Sequence, residues 1–158
     1  MAEISGNDLL DDSEVSSEQG MDGLYFCFEV DSEGYAIEVI NVKEIINVCS
    51  ITPVPESPEY LKGIINLRGD IIPVIDVRLR FGKLEKPYDD LTCIAVILFE
   101  DYAIGLIVDS VEGVLPITED QIFPPPSARL AHGNYFVKSV AHLANDIKLL
   151  LDIEKLLF

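Results

Sequence analysis

The sequence predicts a mainly all-β protein: two small β-barrel subdomains related by a pseudo-twofold, with a few short helices. Three observations lead there. Short apolar and β-branched runs recur at even spacing, separated by polar or Gly-containing turns. Helix signals are confined to segments of about one turn. A fifteen-residue stretch is repeated: Gly63–Val77 aligns without a gap on Ser139–Ile153, with Leu67/Leu143, Asp70/Asp146, Ile71/Ile147 and Asp76/Asp152 identical. Short strands at regular spacing favour barrels over a flat sheet, because closure removes exposed edges.

The elements follow in order. Leu24–Val30 is aromatic and β-branched and predicts a strand; Asp31–Gly34 is its polar turn and Tyr35–Val39 its return. Lys43 and Glu44 interrupt an apolar stretch from Ala36 to Val48. Ser57 as N-cap, Pro58 at the first helical position and Gly63 just past the end predict a short helix over Pro58–Lys62. Gly63–Leu67 and Ile71–Val77 flank a tight turn at Arg68-Gly69-Asp70. Asp76 as cap and Gly82 as stop predict a helical turn over Val77–Phe81.

The second half runs on the same plan. Leu91–Phe99 and Tyr102–Val108 form a hairpin around Glu100-Asp101, and Tyr35-Ala36-Ile37 is matched with Tyr102-Ala103-Ile104. Glu119–Ile122 is a helical turn, Pro124-Pro125-Pro126 an extended loop, and Tyr135–Leu143 with Ile147–Asp152 the last strand pair. Asp152 caps a closing helix that ends at Phe158.

Composition bounds the function. The chain has 158 residues, 49% of them hydrophobic, which suits a packed body. Eleven Lys and Arg stand against 28 Asp and Glu, a net charge of −17. That balance argues against nucleic acid and anionic membrane surfaces as main partners. No apolar run approaches the roughly 20 residues of a membrane span, and no signal peptide is visible, so a cytoplasmic protein is expected. Residues 1–22 carry seven acids and no base and predict a disordered acidic tail, with residues 23–158 as the folded body. Lys62, Arg68, Arg78, Arg80, Lys83 and Lys86 make a basic island, either a contact for an acidic partner surface or a set of internal ion pairs.

Catalytic patterns are missing. The sequence contains no GxxxxGK[ST], GxGxxG, HExxH or GxSxG. Cys27, Cys49 and Cys93 lack CxxC spacing and read as reduced, buried thiols, and His132 and His142 have no clear third ligand. Duplicated β halves with Asp at strand ends evoke an aspartic hydrolase built on Asp109, but Ser110-Val111 breaks that motif. Neither a metal nor a cofactor is expected, and no enzyme activity.

The repeat separates structure from function. Residues shared by both halves serve the common fold. Arg68 is different, because its counterpart is Ala144. An Arg beside Gly at a hairpin tip is exposed and offers bidentate hydrogen bonds to carboxylates. Arg68 is therefore a candidate recognition residue, with Lys62 a weaker one because Lys138 roughly matches it.

The stretch Tyr60-Leu61-Lys62-Gly63-Ile64-Ile65-Asn66-Leu67-Arg68-Gly69-Asp70-Ile71-Ile72-Pro73-Val74-Ile75-Asp76-Val77-Arg78 resembles the signature of the CheW family of chemotaxis coupling proteins. Val42-Lys43-Glu44-Ile45, Gly105-Leu106-Ile107-Val108-Asp109 and Asp152-Ile153-Glu154-Lys155-Leu156-Leu157 resemble further family segments, so that the likeness covers about residues 24–158. It implies two interleaved SH3-like five-stranded β-barrel subdomains and a non-catalytic adaptor. The implied partners are the regulatory domain of the histidine kinase CheA and the cytoplasmic tip of chemoreceptors, at membrane receptor arrays. The resemblance further implies partner-binding roles for Arg68 and Glu44, flanked by Val42, Gly63, Asn66 and Leu67. A paralogue serving a related receptor–kinase system would share all of this.

Deleting residues 1–22 is expected to leave the melting temperature of the body nearly unchanged. A large drop in thermal unfolding would show that the acidic segment packs on the barrels.

Overall fold

The computed structural model describes residues 22–125 and 134–158. The acidic segment, apart from Asp22, and His132 lie outside these residues. The strands are β1 (Leu24–Val30), β2 (Glu33–Glu38), β3 (Val42–Asn47), β4 (Leu61–Leu67), β5 (Asp70–Asp76), β6 (Cys93–Phe99), β7 (Tyr102–Val108), β8 (Ser110–Pro116), β9 (Ile122–Phe123), β10 (Val137–Leu143) and β11 (Asp146–Leu151). Two helices, α1 (Val77–Arg80) and α2 (Ile153–Leu157), follow β5 and β11.

The strands form two sheets. One has the order β3-β6-β7-β5-β4 and the other β8-β1-β2-β11-β10-β9. The first hairpin thus joins the last strands, and the middle of the chain builds the other subdomain. Neither ladder closes on itself. Instead, the chain leaving one edge crosses to the other: Thr52 bridges to Ile64 in the first subdomain, and β9 pairs with Val140 and Ala141 in the second. The result is the expected two-subdomain, SH3-like arrangement, with one five-stranded and one six-stranded sheet.

The sequence repeat is a structural repeat. Leu67 faces Asp70 at the β4–β5 turn, and Leu143 faces Asp146 at the β10–β11 turn. Both hairpins bulge at the same place, between Leu61 and Gly63 and between Val137 and Ser139. The Asp76 carboxylate accepts from the N–H groups of Arg78 (3.0 Å) and Leu79 (3.4 Å), and Asp152 accepts from Lys155 N–H (3.2 Å). These are the expected helix caps.

Three readings of the sequence need correction. Tyr35 does not correspond to Tyr102. Val74 pairs with Gly105 and Leu150 with Ala36, so Ala36 answers to Gly105 and Tyr35 to Ile104. The slip is two residues, which preserves the face of every side chain and so leaves the apolar pattern intact. Pro58–Lys62 is not a helix. Ser57 Oγ donates to the Val54 carbonyl (2.7 Å), Leu61 N–H donates to Pro58 (3.1 Å), and β4 begins at Leu61, where pairing with Ile75 outweighs local helix signals. Strands β3 and β8 carried no strand prediction. In β3 the half-buried Val42, Glu44 and Ile46 alternate with the exposed Lys43, Ile45 and Asn47, so the charged pair lies along a strand rather than breaking one.

Turn residues explain two hairpins. Asp31 and Ser32 have φ of 55° and 67°, and Arg68 and Gly69 have 53° and 93°. Positive φ at both central positions is the type I′ requirement, which matches the twist of the flanking strands. Gly34 accordingly lies inside β2.

Three apolar cores result. Ile65, Ile72, Val74, Ile94, Val96 and Ile107 fill the first barrel, and Cys27, Ala36, Ile117, Ala141 and Leu150 fill the second. The largest core lies between the barrels and draws on both sheets, with Phe26, Phe28, Tyr35 and Ile37 meeting Ile75, Phe81, Ile97 and Leu106.

Gly63 holds the first barrel closed. Its φ is 148°, and a Cβ built there would lie 2.1 Å from the Thr52 carbonyl oxygen. Gly63→Ala is therefore expected to destabilise the fold by more than about 3 kcal/mol, as for other losses at a strained, close-packed backbone site. Chemical denaturation measures it, and a change below about 1 kcal/mol would mean that the Thr52 bridge opens freely.

Candidate functional site

The residues singled out from the sequence lie on two neighbouring edges of the first barrel. Val42 and Glu44 are on edge strand β3; Lys62, Gly63, Asn66 and Leu67 are on edge strand β4; Arg68 is at the β4–β5 tip. Curling of the sheet brings the edges together, and the Arg68 guanidinium donates to the Glu44 carboxylate across the seam. Bulges in the β3–β6 and β1–β8 ladders, opposite Val96/Ile97 and Cys27/Phe28, show that Glu44 corresponds to Gly113 of β8. The second barrel thus has Ala144 and Gly113 where the first has Arg68 and Glu44.

The tip is built to present this pair. Asn66 Oδ1 accepts from Gly69 N–H (2.9 Å), tying down the turn. Arg68 keeps 65% of its side chain exposed, against 26% for Glu44. On the same barrel, Ile71 of β5 is 60% exposed and Ile45 of β3 39%. These two apolar residues were not singled out from the sequence, where both merge into strand-forming runs; only the sheet faces reveal them as exposed. The other candidates are less available. Gly63 is buried under Thr52, Val42 packs against the core between the barrels, Leu67 packs against the first barrel core, and Lys62 pairs with Glu85 at 2.7 Å.

The rest of the basic island is used internally. Arg78 pairs with Asp109 (2.5 Å) and Asp31 (3.3 Å), Lys83 with Asp31 (3.3 Å) and Lys86 with Asp89 (3.8 Å). Arg80 donates to the carbonyls of Leu156 (2.8 Å) and Lys155 (3.1 Å), and its guanidinium lies over the rings of Tyr60 and Phe136. Burial disfavours the Arg78 charge, but Asp109 and Asp31 outweigh it and hold the guanidinium above its ordinary pKa.

The second barrel closes its mouth differently. Lys148 stands at the position of Ile72 and is 4% exposed. It donates to Glu112 on edge strand β8 and lies 3.0 Å from Asp146. Burial alone would lower its pKa; the hydrogen bonds to the two carboxylates raise it. The ammonium passes over Gly34, where a Cβ would meet Nζ at 2.9 Å.

Asp109 and Tyr88 are committed to structural hydrogen bonds, and of the three cysteines expected to be buried only Cys27 is: Cys49 is exposed and Cys93 half-buried. Asp109 accepts from Arg78 and from Asp31 N–H (2.8 Å), which leaves it no role as the free carboxylate of a hydrolase. Burial pushes the Cys27 thiol up to about 11, so it stays protonated and inert at neutral pH. Tyr88 donates to the buried Asp76 carboxylate (2.8 Å), and burial followed by that bond raises its pKa. Among the described residues no group of three His, Cys, Asp or Glu side chains could hold a metal, and no helix is long and apolar enough to cross a membrane.

Comparison with known proteins agrees with this architecture. The CheW-like domain model matches residues 24–158. The chemotaxis protein CheW of Klebsiella aerogenes is 34% identical over 133 residues, covering 84% of this chain and 80% of that protein. Protein FrzA of Myxococcus xanthus is 29% identical over 134 residues, 84% of each chain. The crystal structure of the scaffolding protein TtCheW from Thermoanaerobacter tengcongensis superposes with a TM-score of 0.77 at 35% identity, covering 82% of this chain and 88% of that one. A paired-barrel fold and a family match over residues 24–158 lead to one conclusion: the chain belongs to the CheW family and is a non-catalytic adaptor of chemotaxis signal transduction.

Proposed function

We propose that this protein joins the cytoplasmic tips of chemoreceptors to the regulatory domain of the histidine kinase CheA, at membrane receptor arrays. Arg68 and Glu44 form the charged centre of the contact, and Asn66, Leu67, Val42, Gly63 and Lys62 shape its surroundings. The observation that carries this reading is the exposed Arg68–Glu44 pair at the mouth of the first barrel, which the second barrel omits without loss of the fold. Ile45 of β3 and Ile71 of β5 add exposed apolar area on the same barrel, and a protein-binding surface needs such area with polar groups at its rim. Such an adaptor has nothing to turn over. It transmits a receptor state through a difference in contact energy, typically about 1–3 kcal/mol for coupled sites.

The test separates recognition from barrel closure. An exposed ion pair contributes about 0–1 kcal/mol to stability, so Arg68→Ala and Glu44→Ala should melt close to the parent protein. Arg68→Gly should melt higher than Arg68→Ala, because a left-handed residue other than Gly costs about 1–2 kcal/mol. In reconstituted arrays of receptor, kinase and adaptor, Arg68→Ala should weaken assembly by about 1.5–3 kcal/mol if the contact is desolvated. Arg68→Lys should not restore it, since an ammonium cannot replace a bidentate fork. The swapped pair Glu44→Arg with Arg68→Glu restores closure of the seam but not recognition. Full kinase activation by that swap would reduce the pair to a structural clasp and remove the proposal.

A further inference from the structure

The two seams between the barrels are not equivalent. At one seam Arg78, at the start of α1 in the first barrel, reaches Asp31 in the β1–β2 turn of the second. It also reaches Asp109, the residue that leaves β7 in one sheet and enters β8 in the other. Asp109 in turn accepts from Asp31 N–H (2.8 Å), and its own N–H donates to Glu29 of β1 (3.0 Å). Only 12% of the Arg78 side chain is exposed, and its Nε finds no hydrogen-bond partner among the described residues. A guanidinium so largely shielded, with one N–H unpaired, costs desolvation that its ion pairs must offset, so it is not there for stability alone.

The pseudo-twofold supplies a built-in comparison. The register that places Asp76 on Asp152 places Arg78 on Glu154. The hairpins place Asp31 on Glu100, with φ of 55° and 56°, and strands β8 and β3 place Asp109 on Ile40. Only Asp31 keeps a like-charged counterpart, and with Glu154 for Arg78 and Ile40 for Asp109 the network cannot be remade. The second seam holds instead an open cleft of about 280 Å³ lined by Asn41, Phe99, Ile153 and Glu154 among others. The fold therefore does not require an Arg at such a seam.

We infer that Arg78 is a positioning residue: its guanidinium staples the barrels along one seam and fixes the angle between the Arg68–Glu44 tip and the second barrel. An adaptor that binds two partners at once depends on that angle, while its affinity for each partner alone does not. The part of this inference that concerns coupling rests on the function proposed above; the part that concerns barrel geometry does not.

Residual dipolar couplings on the full chain test the geometry. In the parent protein one alignment tensor should fit the amides of both barrels. In Arg78→Met, which removes both ion pairs at similar side-chain length, the barrels should need separate tensors. Arg78→Lys, which keeps the Asp109 pair, should return to a single tensor. Asp109→Asn tests the same staple from the other side, should Arg78→Met not fold. In reconstituted arrays Arg78→Met should bind kinase or receptor alone as the parent does, yet lose about tenfold in ternary assembly, within the range of two-site coupling. A single parent-like tensor in both Arg78→Met and Asp109→Asn would overturn the staple. Equal losses in single-partner and ternary binding would make Arg78 a contact rather than a positioning residue. If the parent protein binds neither partner, the functional proposal fails while the dipolar measurement still decides the staple.

Discussion

The apolar layer between the two barrels is the constraint on which the rest of the structure depends. Each barrel encloses only a handful of buried apolar side chains, whereas the shared layer takes in most of the large ones. Its aromatic chain runs across the molecule: Phe28 to Tyr35 (6.1 Å), Tyr35 to Phe81 (5.0 Å) and Phe81 to Phe136 (5.4 Å). Burial of one such side chain contributes about 1.5–3 kcal/mol, so neither barrel alone commands enough apolar area to be a stable domain. Exchange of the first hairpin into the second barrel adds a topological tie to this energetic one.

On that symmetric base, charges break the symmetry in three places. Arg68 with Glu44 closes the first barrel through an exposed guanidinium, Lys148 with Glu112 closes the second through a buried ammonium, and Arg78 with Asp31 and Asp109 ties one seam. The pseudo-mates of Arg68, Lys148 and Arg78 are Ala144, Ile72 and Glu154. A fold that works with either residue at a position leaves that position free for other uses. Exposure then sorts those uses. The Arg68 guanidinium at the tip is open to solvent, while the Lys148 and Arg78 cations are largely covered.

The same comparison shows how far the site could be read from the chain alone. Arg68 against Ala144 is visible in the repeat, because the hairpins align without a gap. Lys148 against Ile72 lies in the same alignment, and Arg78 against Glu154 one residue beyond it, yet neither signals its partners, which come from β8 and the β1–β2 turn. The link from Glu44 to Arg68 could not be read either. It depends on two edge strands meeting across a curled sheet, and the β3 and β8 strands that define the correspondence carry polar or Gly interruptions. The exposure of Ile45 and Ile71 stayed hidden because a strand residue's exposure depends on which face is covered, not on its hydrophobicity.

By itself the sequence determined the β class, the duplicated hairpins, the capping aspartates and the family, because these rest on local pattern: alternation, turn chemistry and an ungapped repeat. Tertiary structure alone decided the register of the first hairpin, the fate of Pro58–Lys62 and the pairing of the basic island. A two-residue slip leaves every side chain on its face and is invisible to an apolar pattern. A helix signal of about one turn is worth less than a strand's place in a ladder, so pairing of Leu61 with Ile75 outweighed it. Charges far apart in the chain found each other only because a curled sheet and a shared core placed them side by side.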